Sequence, residues 1–121
     1  MAFTLTAAPE ADFLRLTLSG AGNDDEVSAI VRAVSDAVRS RGARKALIDV
    51  RGVQGRLGVA DTFFLVRSYP PDLAEVATAV LESEKHRAIA DFHELSAANV
   101  GRNLKFFFDE ASARGWLAAR P

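Results

Sequence analysis

Three glycines spaced three apart, Gly52, Gly55 and Gly58, lie in the stretch DVRGVQGRLGVADTFFL at residues 49–65, with Arg51 and Arg56 among them. Glycine-rich loops between a strand and a helix are where many proteins cradle phosphates, so that chemistry is tested first. A phosphate loop of the GxxxxGK type ends on a lysine that reaches the phosphates and a hydroxyl that binds magnesium. Here Val59 and Ala60 follow Gly58 instead. A dinucleotide loop needs GxGxxG, and this chain has GxxGxxG. Both fail on spacing, so binding of ATP or GTP is not expected. Two readings remain open. A carboxylate or phosphate can meet amides at a helix N-terminus between Arg51 and Arg56, or the glycines serve only to permit positive φ in a tight turn.

The other constellations are thinner. His86 and His93 stand seven apart on one expected helix. A helix-borne zinc pair uses i, i+4 spacing with a third ligand, so these read as solvated surface histidines and no metal site is assigned. No GxSxG elbow supports a serine nucleophile. The chain has no cysteine, which excludes thiol nucleophiles, disulfides and thiolate metal sites together. Asp24, Asp25, Asp109 and Glu110 sit where helix starts favour negative charge. With no convergent nucleophile, acid–base pair or metal set, no catalytic residue and no cofactor is expected, and the chain reads as non-enzymatic.

A net charge of −1 gives no electrostatic footprint for nucleic acid. Locally, Arg39, Arg41, Arg44, Lys45, Arg51 and Arg56 face only Asp49 across residues 39–56. That excess can steer an anion or an acidic membrane surface, or it is a solvated set of helix-end and loop charges. The N-terminal MAFTLTAAPEADF lacks the cationic-then-apolar pattern of a secretory signal, and no apolar run reaches the length of a membrane span. A cytoplasmic location is the expectation.

The elements that must position these residues are legible from their periods. Residues 3–7 and 12–19 alternate apolar and polar as half-buried strands do, with Pro9, Glu10 and Ala11 as a short connection. After the Gly20-Ala21-Gly22 turn, Asn23 suits a helix N-cap and Glu26 its box partner. Val27, Ile30, Val31, Val34, Ala37 and Val38 then form the stripe of a helix lying on a sheet, stopped at Gly42. Residues 45–50, 75–81 and 103–109 read as buried strands, the last with three consecutive phenylalanines that imply burial on both faces. Helices are expected over 57–69, from a Ser83 cap to about Ala98, and over 110–119, where Trp116 is a structural anchor on the sheet. The order ββαβαβαβα makes one α/β domain over 1–121, with strands paired in parallel across helical crossovers, helices covering the sheet, and a first strand antiparallel to the second.

The segment after the glycines is the least ordinary. On a helix Val59, Ala60, Phe63 and Val66 make one stripe, Phe64 lies about 100° off it, and Leu65 is almost opposite. A helix apolar nearly all round is either buried or shows apolar surface to a ligand, a membrane or a second subunit.

The element order, the DVRG turn and the tail NxGRNLKFFFDEASARGWL together resemble the STAS superfamily, in its SpoIIAA-like branch related to the CRAL-TRIO lipid-transfer domains. The best-marked block holds Asn99, Gly101, the phenylalanine strand, Asp109, Ala113, Trp116 and Leu117. The resemblance implies a mixed, mostly parallel sheet of four or five strands with four helices and no catalytic machinery. In anti-sigma-factor antagonists of this superfamily a serine at the start of the helix after the central strand is phosphorylated to break docking. The matching Gln54–Val59 has no Ser or Thr, and the first hydroxyl is Thr62. The expected site is therefore Arg51, Gly52, Gly55, Arg56 and Gly58 with Phe63, Phe64 and Leu65. It would take an amphiphilic small molecule, a membrane surface or a protein partner, a homodimer included. The alternative reading is a regulatory protein–protein module lacking the phosphorylatable serine.

Overall fold

The structure, a computed structural model, describes residues 3–22 and 24–121. Five strands form one sheet in the order in which they occur in the chain. They are β1 (Phe3–Glu10), β2 (Phe13–Ala21), β3 (Lys45–Gln54), β4 (Ala77–Leu81) and β5 (Leu104–Phe107). β1 runs antiparallel to β2, and every later neighbour is parallel. Between them come α1 (Asp24–Ser40), α2 (Val59–Arg67) and α3 (Arg87–Asn99), and α4 (Glu110–Ala118) closes the chain. Crossovers between sequential parallel strands share one hand and lay their helices on one face, which leaves the opposite face to α4.

The two faces are packed differently. On the α4 face Phe13, Leu47, Ala79, Leu81, Ala113 and Leu117 form a buried cluster, with Phe107 and Trp116 against it. On the other face Leu14, Leu16, Ala46 and Val38 bury the C-terminal half of α1, and Val80, Ala90 and Phe106 bury α3. The phenylalanine strand is split as its alternation requires: Phe106 lies under α3 and Phe107 under α4. Asp109 caps α4, its carboxylate accepting from the Ser112 amide at 2.8 Å.

Several boundaries differ from the sequence expectation. Pro9 belongs to β1, opposite Leu14, and the turn is the two-residue Ala11–Asp12 with Ala11 at φ 47°. β1 is an edge strand, where a missing N–H can face solvent. β3 runs on to Gln54, so Gly52 lies inside a strand, paired with Ser19. The register there shifts by one residue, from Thr17–Asp49 to Ser19–Gly52, which is a bulge in β3. A Cβ on Gly52 would come within 3.1 Å of both the Leu18 carbonyl oxygen and the Ser19 side chain. Ser83 makes no side-chain cap; a short 3₁₀ turn at 84–86 leads into α3 instead. The Asn23 cap lies outside the described residues.

Candidate functional site

The glycine motif divides into three different roles. Gly52 is strand, Gly55 supplies the positive φ of 85° that a tight turn needs, and Gly58 is the extended N-cap of α2. The turn reading therefore holds for Gly55 alone. Among the described residues these three glycines do not form one continuous cradle for a phosphate.

The two arginines of the expected site part company. Arg51 lies on the α4 face, where its guanidinium donates to Asp49 Oδ1 at 3.0 Å and Oδ2 at 2.8 Å. Arg15 meets the same carboxylate at 3.0 Å and Glu110 at 3.2 Å. Burial alone would raise the Asp49 carboxyl; the Arg51 hydrogen bonds, with Arg15 beside them, hold it below the usual carboxylate range. This cluster ties the start of α4 to the sheet.

Arg56 belongs to the opposite face. It clamps Glu82 with two bonds, Nε to Oε2 at 2.8 Å and Nη2 to Oε1 at 2.7 Å. It also donates to the carbonyls of Val50, Val53 and Gly55. Glu82 is only 2% exposed, so this is a buried, fully hydrogen-bonded ion pair. The expectation that Arg51 and Arg56 jointly receive an acidic group is corrected on this geometry: the arginines sit on different faces, each already facing a carboxylate.

α2 presents a different face to the core from the one its apolar stripe suggested. Thr62 and Val66 are buried and Leu65 is half-buried, while Val59 at 58%, Phe63 at 39% and Phe64 at 67% are exposed. Phe63 and Phe64 pack edge to face, and the Arg67 guanidinium lies 3.5 Å from the Phe63 ring. Arg67 also bonds Ser96, joining α2 to α3, which is its main support. The cause is the helix's composition: with apolar residues all round, no single stripe dictates which side turns inward.

What α2 covers is a cavity of about 260 Å³ between α1, α2, α3 and the sheet. Val27, Ile30 and Val31 of α1 form one wall, so the predicted helix stripe is seated on the sheet only in its C-terminal half. Ile48, Val50 and Val80 form the floor. Val50 and Val53 both line it although three residues apart, because the β3 bulge inserts a residue between them. Ser35, Val31, Leu65 and Pro70 also line a second depression, shared with Arg32 and Arg39, that adjoins the cavity between α1 and α2.

Two polar pairs face this apolar space. One is Arg56–Glu82. The other joins the Tyr69 hydroxyl to His93 Nε2 at 2.8 Å, with the imidazole centroid 4.9 Å from the Phe106 ring. His93 is thus no solvated surface residue. Burial pushes its pKa down to about 4, against a weaker opposing pull from Glu82, so the ring is neutral at pH 7. Burial pushes the Tyr69 phenol up. Sequence reasoning missed Tyr69, Glu82 and His93 as site residues. One signal was present: an acid directly after the buried ATAVL strand, which has to find a cation.

No family model and no curated protein matches the chain. Solved structures do. An anti-sigma factor antagonist from Mycobacterium paratuberculosis superposes with a TM-score of 0.61 at 15% identity, covering 96% of this chain and 94% of that one. An uncharacterized DUF3478-family protein of SpoIIAA-like fold from Shewanella loihica gives 0.57 at 18% identity, covering 96% and 93%. At these identities the likeness establishes the fold, which is SpoIIAA-like, as the sequence resemblance implied.

Proposed function

We propose that the chain is a non-enzymatic binding module that takes an apolar or amphiphilic small molecule into the cavity between α1, α2, α3 and the sheet. The observation that carries this reading is the cavity itself. An empty apolar space of about 150 Å³ is enough to bind benzene, and here about 260 Å³ stays open under a helix held mainly by one neighbour. Mostly apolar walls with a few convergent polar groups are the usual make-up of a small-molecule site. The bound molecule enters past Ser35 and Leu65. Mass spectrometry of gently purified protein should find a co-purifying apolar compound, absent from a Val31→Trp variant whose indole fills the mouth. Equal, empty spectra from both proteins would count against the reading.

A second reading rests on Val59, Phe63 and Phe64, which form an exposed apolar face on α2 suited to a protein partner. One fold neighbour is an anti-sigma factor antagonist, and that class of role is the alternative for this chain. A phosphorylation switch has little support, since Thr62 is buried and residues 54–59 carry no hydroxyl. If α2 is such a surface, Phe64→Ser abolishes partner capture and leaves small-molecule uptake intact.

A further inference from the structure

The polar groups that line the cavity sort by whether the protein already satisfies them. The charged ones are taken. Arg56 and Glu82 neutralise each other, and Arg102 donates to the carbonyls of Tyr69 and Pro70 at the end of α2. The uncharged ones are not all taken. His93 uses Nε2 on Tyr69, and among the described residues no protein group meets its Nδ1. The hydroxyls of Ser35 and Thr62, both buried residues of the cavity wall, likewise have no protein partner among the described residues. The space is half open, so these atoms keep a path to water, and a molecule that fills it must either bond them or strip them of solvent.

We infer that the cavity selects uncharged molecules with a hydrogen-bonding head, such as a medium-length alcohol or ketone, and that His93 Nδ1 meets the head group. This deepens the proposed function and rests on the cavity being a ligand site. A carboxylate head would shed its water in a space where Arg56 is held by Glu82 and Arg102 spends donors on two carbonyls, leaving it only the unscreened charge of Arg102 as an attraction. A pure hydrocarbon would fill the volume and leave His93, Ser35 and Thr62 unbonded. An alcohol can serve either tautomer of the ring. If Tyr69 donates to Nε2, Nδ1–H donates to the ligand oxygen; if Nε2–H donates to Tyr69, Nδ1 accepts the ligand's proton.

The test compares octan-1-ol, octane and octanoate at pH 8 on the whole chain and on His93→Phe, which keeps a ring beside Phe106. One net hydrogen bond is worth about three- to tenfold in affinity. His93→Phe is expected to weaken octan-1-ol by about that factor and to leave octane within about twofold. Equal changes for both, or none for either, overturn the inference while the cavity remains a ligand site. Tighter binding of octanoate than of octan-1-ol, lost in Arg102→Gln, overturns it in favour of an anionic ligand. Binding of none of the three removes the proposed function as well. Should His93→Phe not fold, the unaltered protein still decides, because its two histidines give separate imidazole ¹⁵N signals. The His93 Nδ1 resonance should move with octan-1-ol and stay put with octane; an unmoved resonance overturns the inference.

Discussion

Glu82 is an acid at the end of an apolar strand, and Arg56 is what makes its burial tolerable. Removing one member of such a pair strands the other charge, so Arg56→Ala should lower stability by about 3–5 kcal/mol in a urea melt. A loss under about 1 kcal/mol would mean that water reaches Glu82. His93 makes a second residue-scale prediction. Its folded pKa of about 4 lies below the unfolded value near 6.5, so the unfolded chain binds the extra proton first. The stabilisation is complete above pH 6.5 and is lost as pH falls toward 4, amounting to about 3 kcal/mol. Urea melts between pH 7 and 4 check this, and His93→Phe should flatten that part of the curve. At this scale the sequence was least legible. Arg51 and Arg56 look equivalent beside their glycines, yet a one-residue bulge in β3 and the turn at Gly55 send them to opposite faces. Residue spacing carries no trace of a bulge.

Among the elements, α2 is the one whose orientation its own residues leave undecided. Its inward side is Thr62, Val66 and half of Leu65, and its outward side is Val59, Phe63 and Phe64. Phe64→Ser should therefore leave the melting temperature within about 2 °C, as exposed substitutions do. Leu65→Ser puts a hydroxyl into the cavity wall and should cost about 1–3 kcal/mol. A large loss for Phe64→Ser would place that ring in the core. Because α2 rests chiefly on α3, its amides should exchange with deuterium sooner than those of β3. The other elements were legible because their patterns are one-sided. The α1 stripe read correctly over its C-terminal half, as did the alternating β2, and Asp109 caps α4 where negative charge was expected. β3 was expected to end with its apolar run at Val50, whereas it runs on to Gln54 through Gly52, where β2 comes too close for a side chain.

For the molecule as a whole, the order of elements and the mixed sheet were readable from period and punctuation alone; the hollow was not, since apolar residues that line a space look the same as residues that fill a core. The α4 face is the solid one. Trp116 packs there tilted against Phe107, with ring centroids 5.8 Å apart, but is only half-buried, so Trp116→Ala should cost about 3 kcal/mol, the low end for an aromatic truncation. The opposite face should gain from occupancy. Octan-1-ol at a hundred times its dissociation constant stabilises by about 2.7 kcal/mol, which raises the melting temperature by roughly 10 °C in a chain of this size. No shift on calorimetric melting would leave the cavity without a role in binding.

The hollow face also gives the protein an unusual response to hydrostatic pressure. Unfolding under compression is favoured by the internal void it eliminates, and 260 Å³ per molecule corresponds to at most about 160 mL/mol if wholly empty. Compression should therefore loosen the α1–α2 side first and leave the β3–β4–α4 side standing. A molecule that fills the hollow should make the chain measurably harder to crush.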